Sequence, residues 1–258
     1  MSSRIVVGAG GKRIRPSEGK ILSAPADVLF SSVKMQAVFT GANGSTTFTD
    51  QSAAPHALTA QGNAQIQSNK LELDGTTDWV QAADSADWQL TGDFCLEFFG
   101  IEFDSVAAIM CPASHYDAFS PAANQRGWAT YLRGNVSPKK LELSIGTGSG
   151  VAEQNQVTWA PSAVTAYAIR FDRAGSTLRT LVDGVFLGSV TSTANSFNST
   201  SPLAIGTDNP RATTVSNMNE LDGRMSGVRF TAASRQNGDN NYTVPQSLPQ
   251  FGLAGLEG

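Results

Sequence analysis

Cysteine and histidine are scarce in this chain, each present only twice, as Cys95 and Cys111 and as His56 and His115. The cysteine spacing fits no metal motif, and 258 residues can bury a core without a disulfide, so two buried free thiols are expected. Neither histidine stands with a serine or cysteine nucleophile and an aspartate in a recognisable setting, and no Gly-x-Ser-x-Gly elbow occurs. Charge is also scarce. At 16% charged residues against an ordinary quarter, the surface must be covered largely by Ser, Thr, Asn, Gln and Gly. A net charge of −4 gives no global attraction to phosphate and argues against nucleic acid as a partner. No stretch approaches the ~20 apolar residues of a membrane span, and the first thirty residues hold no apolar run of leader length. A soluble protein made in a cytoplasm, with no membrane partner, is the expectation. No window of useful length repeats with helical period, so little helix is expected.

What is present is a series of short strand signals separated by turn residues. KMQAVFTG (34–41) alternates and leads into GANGSTTFTDQS, a turn region. In NAQIQSNKLELDG (63–75), Leu71 and Leu73 point one way and Glu72 the other. DFCLEFFGIEF (93–103) sets Phe94, Leu96 and Phe98 on one face. Further strands are expected in 127–134, 140–148, 166–173, 177–190, 202–208 and 222–232. In TLRTLVDGVFLGSV, Asp183-Gly184 between apolar runs predicts a hairpin, because a type I′ turn needs positive φ at both central residues. About ten strands in one domain imply two packed antiparallel sheets.

Residues 1–33 read as an arm, distinct from the sandwich expected over 34–258. Arg4, Lys12, Arg13, Arg15 and Lys20 face only Glu18 and Asp27, so the arm is basic within an acidic protein. Such a segment suits docking on a partner, and a loosely ordered terminus has the same composition.

The order of motifs resembles a known family. FTGANGSTTFTDQSAAPHALTAQGNAQI, LELDGTTDWVQAADSADWQLTGDFCLEFF, VTWAPSAVTAYAIRFDRAGSTLRTLVDGVFLGSV, LAIGTDNP, ELDGRMSGVRFT and the tail ASRQNGDNNYTVPQSLP succeed one another as in concanavalin A-like, laminin-G-like domains. The form found in structural proteins of tailed bacteriophages is the most similar. The resemblance covers roughly residues 34–250 and implies an all-β, two-sheet antiparallel jelly-roll sandwich. The sequence departs from the family where an acidic pair is replaced by Ser226 and Gly227, and where APSAVTAY follows Trp159 without the family's histidine.

Candidate chemistry is sparse. Asp74, Asp78, Asp84 and Asp87 cluster, and calcium wants six to eight oxygens, so Asp74 and Asp78 are the candidate metal ligands. The missing acidic pair favours the alternative, a turn at Asp74-Gly75 with capping roles for Asp84 and Asp87, and hence no cofactor. Glu97 and Glu102 invite a glucanase reading through the resemblance. Five residues apart on one strand, they are expected on opposite faces, so no enzyme is expected. GTGSG (146–150) has no following helix or lysine for a phosphate loop and reads as a flexible connection. Trp79, Trp88, Trp128 and Trp159 could stack on sugars, core packing being preferred for Trp79 and Trp159. The loop 112–126 is polar and aromatic-bearing. It makes Tyr116, Phe119 and Arg126 the candidate carbohydrate-binding residues.

The resemblance implies a non-enzymatic virion structural protein of a tailed phage, in head decoration, tail or fibre. Its partners would be other virion proteins and copies of itself, with glycans for surface attachment. The alternative is a carbohydrate-binding lectin module, and a glycoside hydrolase ranks third.

Overall fold

A computed structural model describes residues 27–117, 125–211 and 219–235. The basic arm residues Arg4, Lys12, Arg13, Arg15 and Lys20 lie outside this range, as does Phe119. Among the described residues the structure is nearly all strand. It comprises β1 (Val33–Val38), β2 (Thr47–Thr49), β3 (Ala57–Gln61), β4 (Gln65–Gln67), β5 (Lys70–Asp74), β6 (Trp79–Ala82), β7 (Phe94–Phe103), β8 (Ile109–Met110) and β9 (Ala113–Asp117). There follow β10 (Gln125–Arg133), β11 (Lys140–Gly148), β12 (Val151–Thr158), β13 (Tyr167–Ala174), β14 (Thr177–Val182), β15 (Val185–Thr191), β16 (Leu203–Ile205), β17 (Asp222–Met225) and β18 (Gly227–Thr231). Two single 3-10 turns, at Phe30–Ser32 and Ala86–Trp88, are the helical elements among the described residues.

The strands form two antiparallel sheets of nine, the jelly-roll sandwich expected from the sequence. One sheet runs β15-β14-β13-β7. The far edge of β7 is then shared by β18, which leads to β1, and β17, which leads to β5 and β4. The second runs β12-β11-β10-β9-β16-β6-β3-β2, with β8 also on β10. The inner faces supply Leu96, Phe98, Ile169, Phe171, Val228 and Phe230 from the first sheet. Trp128, Leu132, Leu141, Leu143 and Ile145 oppose them from the second. Trp128 meets Phe230 edge-on across the sandwich, with centroids 5.5 Å apart, and its indole N–H donates to the Trp88 carbonyl at 2.6 Å. All four tryptophans sit in or against the core, so none is a free stacking platform.

Local chemistry explains the turns. Asp183 and Gly184 carry φ of 50° and 78°, which makes the expected hairpin between β14 and β15. Asp74 accepts hydrogen bonds from the Thr76 backbone N–H and hydroxyl, both at 2.8 Å, so the Asp74-Gly75 turn also forms. The segment 63–75 is two strands, however, because Ser68 and Asn69, at φ 53° and 57°, fold it into its own hairpin. The stretch 112–126 begins as β9, paired with both β10 and β16, and is a strand as far as Asp117.

Two bulges decide which way side chains face. The register of β7 against β13 shifts between Phe98 and Ile101, at Gly100 with φ +55°. Phe94, Leu96 and Phe98 face the core before the shift, and Ile101 and Phe103 after it. Glu97 and Glu102 therefore share the outer face of the sheet, which corrects the expectation from residue counting. A second bulge, at Gly127, turns Arg126 to the same side as its neighbour Tyr116, while Trp128 and His115 face inward. A Cβ at Gly127 would lie 2.3 Å from the His115 carbonyl oxygen and 3.0 Å from that of Phe197. Gly127→Ala should lose about 3 kcal/mol of unfolding free energy in urea, the range of strong core overpacking. Gly150→Ala, whose added carbon meets nothing closer than 3.9 Å, should stay within about 0.5 kcal/mol.

Candidate functional site

In KLELSI, Leu141, Leu143 and Ile145 enter the core, so Lys140, Glu142 and Ser144 line the outer face of the second sheet. Register places Arg133 opposite Lys140, Tyr131 opposite Glu142, and Gln156 and Gln154 opposite Glu142 and Ser144 on the other side. Glu142 is fully buried at the centre. Its carboxylate accepts from Arg133 Nε at 3.0 Å and from a terminal Arg133 nitrogen at 2.7 Å, and also from the Ser144 hydroxyl and the Gln156 amide. The Arg133 guanidinium lies 4.5 Å over the Tyr131 ring. The Tyr131 hydroxyl donates to Asp208 at 3.0 Å, and Asn219 closes on the same carboxylate through its side-chain amide at 2.6 Å. Beside this network opens a cleft of about 340 Å³ lined by Arg133, Asn135, Val136, Lys140, Gln154 and Gln156.

Burial alone would push Glu142 up. The hydrogen bonds from Arg133, Ser144 and Gln156, with the Arg133 charge, hold it below the usual carboxylate range. Glu153 on β12 is likewise held down against burial, by the Ser192 hydroxyl and the backbone N–H groups of Ala194 and Thr193. Asp208 goes the other way, raised by burial despite its bonds from Asn219 and Tyr131. Glu220 is raised by burial and then by the charges of Asp74, Asp78 and Asp208, its bond from the Thr77 N–H opposing. Asp78 is raised chiefly by burial and Asp222 likewise, with Asp74 adding to both.

The residues singled out from the sequence fall as follows. Tyr116 is buried on this same outer face, clustered with Cys111, Ala129 and Tyr131. Arg126 flanks it across the ladder and donates to the Ser149 carbonyl at 3.3 Å. Asp78 accepts the Asn63 N–H at 2.5 Å, and Asp74 serves its turn as described. Among the described residues no group of three or more His, Cys, Asp or Glu side chains could hold a metal ion. Cys95 and Cys111 are free, and burial pushes both thiols well up. Asp84 and Asp87 pair with His115 and with Lys34 and His56 rather than capping turns; Ser85 caps the 3-10 turn instead. Gly146 of the GTGSG run is a close-approach position, since a Cβ there would lie 2.2 Å from the Arg126 carbonyl oxygen.

Sequence reading missed Arg133, Lys140, Glu142, Gln154 and Gln156. The alternation in KLELSI carried a signal, because a polar row on a strand whose other row enters the core marks an outer face. The outer face of the first sheet is also polar, and its charges are paired with one another. Glu97 pairs with Arg229 at 2.7 Å, and Asp27 pairs with Arg235 at 2.7 Å.

No family model matches the chain, and no curated protein matches it in sequence. Solved structures do match in shape. The binding domain of botulinum neurotoxin serotype D aligns with TM-score 0.58 at 10% identity, over 81% of this chain and 49% of its own. Domain 4 of the extracellular arabinanase AbnA from Geobacillus stearothermophilus, in complex with arabinotriose, aligns with TM-score 0.54 at 12% identity, over 79% of this chain and 93% of its own. A Trypanosoma rangeli sialidase in complex with sialic acid gives 0.57 at 12%, over 80% and 31%. The chain spans about half the length of the neurotoxin binding domains it matches. The likeness is one of fold, a two-sheet antiparallel β-sandwich.

Two predictions follow from the electrostatics. Glu142→Gln should cost about 2–3 kcal/mol in chemical unfolding, a little under the usual loss for breaking a buried pair because Arg133 keeps 23% of its side-chain surface exposed. Stability should peak at mildly acidic pH. The contributions of Glu142 and Glu153 are complete above about pH 4.3 and are lost as pH falls through their lowered folded values. Asp78, Asp208, Glu220 and Asp222 hold protons more tightly when folded, so stability falls as pH rises from the ordinary carboxylate range through their raised values. Glu220→Gln should raise the melting temperature at pH 7 and flatten that alkaline limb in a calorimetric pH series.

Proposed function

We propose that the chain is a non-enzymatic carbohydrate-binding module whose ligand surface is the outer face of β10, β11 and β12. The observation that carries this reading is the open cleft lined by Arg133, Asn135, Lys140, Gln154 and Gln156. Amides and cationic N–H groups converge there on a rigid sheet, and such groups match sugar hydroxyls. No aromatic residue lines the cleft, and Tyr131 is buried beneath Arg133, so recognition is by hydrogen bonding rather than by stacking. The resemblance in fold to an arabinanase domain in complex with arabinotriose supports the same class of ligand.

The absence of turnover rests on the state of the carboxylates. Glu142 accepts four hydrogen bonds and lies beneath Arg133, and Asp208 is engaged by Tyr131 and Asn219. Glycoside hydrolysis needs two carboxyl groups facing the scissile bond, and no residue lining the cleft is acidic. The virion role rests on the sequence resemblance alone. Its arm residues lie outside the described residues.

The full chain should be captured by a subset of oligosaccharides on a glycan array. The double variant Gln154→Ala, Gln156→Ala should bind those at least about tenfold more weakly, the equivalent of one or two hydrogen bonds. Release of reducing ends from the bound glycans should be absent. Capture by no glycan, or capture indifferent to the double variant, would overturn the site.

A further inference from the structure

We infer that this cleft selects saccharides bearing a carboxylate, an inference that deepens the proposed function and rests on it. A guanidinium has five N–H donors. Glu142 takes Nε–H and one N–H of a terminal nitrogen of Arg133, leaving three N–H groups toward the cleft that Arg133 lines. Glu142 clamps one edge of the guanidinium and the Tyr131 ring lies 4.5 Å beneath its face, so the plane is held before any ligand arrives. The remaining edge is a two-pronged donor of the kind that meets a carboxylate with two parallel hydrogen bonds. Little side-chain freedom is left to lose on binding.

The rim supplies the rest. Lys140 Nζ donates to Gln156 at 2.8 Å, which leaves two of its three N–H groups for a ligand. Asn135 and Gln154 add neutral amides, and the acids near Arg133, Glu142 and Asp208, are both buried and outside the lining of the cleft. The lining itself carries two cationic side chains, Arg133 and Lys140, and no acidic one, in a chain whose net charge is −4. A neutral sugar would satisfy the amides but leave the Arg133 edge and Lys140 without an anion. An acidic sugar meets all of them.

The test compares matched pairs by NMR on the ¹⁵N-labelled full chain: trigalacturonate against its carboxyl-reduced trisaccharide, and sialyllactose against lactose. The acidic member of at least one pair should bind at least tenfold more tightly and shift the Arg133 Nε–H and the side-chain amides of Asn135, Gln154 and Gln156. Raising salt from 50 to 500 mM should weaken that binding severalfold. Lys140→Ala, which leaves the Arg133–Glu142 pair intact, should weaken the acidic member about tenfold and the neutral one by at most about threefold. Equal binding of acidic and neutral members at these resonances would overturn the inference and leave the glycan-binding reading standing. Acidic binding that shifts other residues alone would remove the cleft from both. No binding by either member of either pair, with array capture confined to neutral glycans, would also overturn the inference. If the array too captures nothing, the proposed function falls with it.

Discussion

The outer face of the second sheet depends on one buried carboxylate. Glu142 has left water entirely, and a charge in that position is tolerated only if it is paired and its lone pairs are filled. Arg133, Ser144 and Gln156 do both, and in doing so they give up freedom of their own. Arg133 is fixed in plane over Tyr131, and Tyr131 in turn donates to Asp208, whose carboxylate Asn219 also holds. The cleft rim is thus a consequence of how a buried acid is satisfied. Its donors point outward because their other edges are committed inward.

The sandwich beneath makes this possible by being rigid where it counts. Trp128 crosses to Phe230, and Leu141, Leu143 and Ile145 fix the inward row of β11. With that row fixed, strand alternation leaves Glu142 and Ser144 no choice of face. The bulge at Gly127 then resets β10 so that Arg126 joins Tyr116 on the outer side, with Tyr131 and Arg133 further along the same strand. The first sheet uses similar chemistry to the opposite end. Its outer ion pairs tie Asp27 to Arg235 and Glu97 to Arg229.

Much of the framework was legible in the sequence, and the reasons are local. The Asp183-Gly184 hairpin and the strand at 140–148 follow from turn chemistry and alternation that need no partner to be read. Strands such as β9 and β12 were not legible. SHYD and AEQNQ owe their extended form to ladders with distant neighbours, β16 and β10 for the first and β11 for the second. The faces of Glu97 and Glu102 were misread for a related cause. Alternation counts residues, and a glycine bulge inserts one that the count cannot see. Tyr116 and Arg126, singled out as loop residues, do lie on the candidate face, but as members of strands. Arg133, Glu142 and Gln156 come from three strands, and only the register between those strands makes them a site.

The central claim is that Glu142 holds Arg133 in one orientation at the cleft, and the Arg133 Nε–H resonance in a ¹⁵N correlation spectrum of the free protein tests it most directly. A discrete signal, displaced from the bulk arginine side chains, protected from solvent exchange at neutral pH and lost in Glu142→Gln, is the predicted result. A signal that merges with the exposed arginines, or one unchanged by Glu142→Gln, would contradict it.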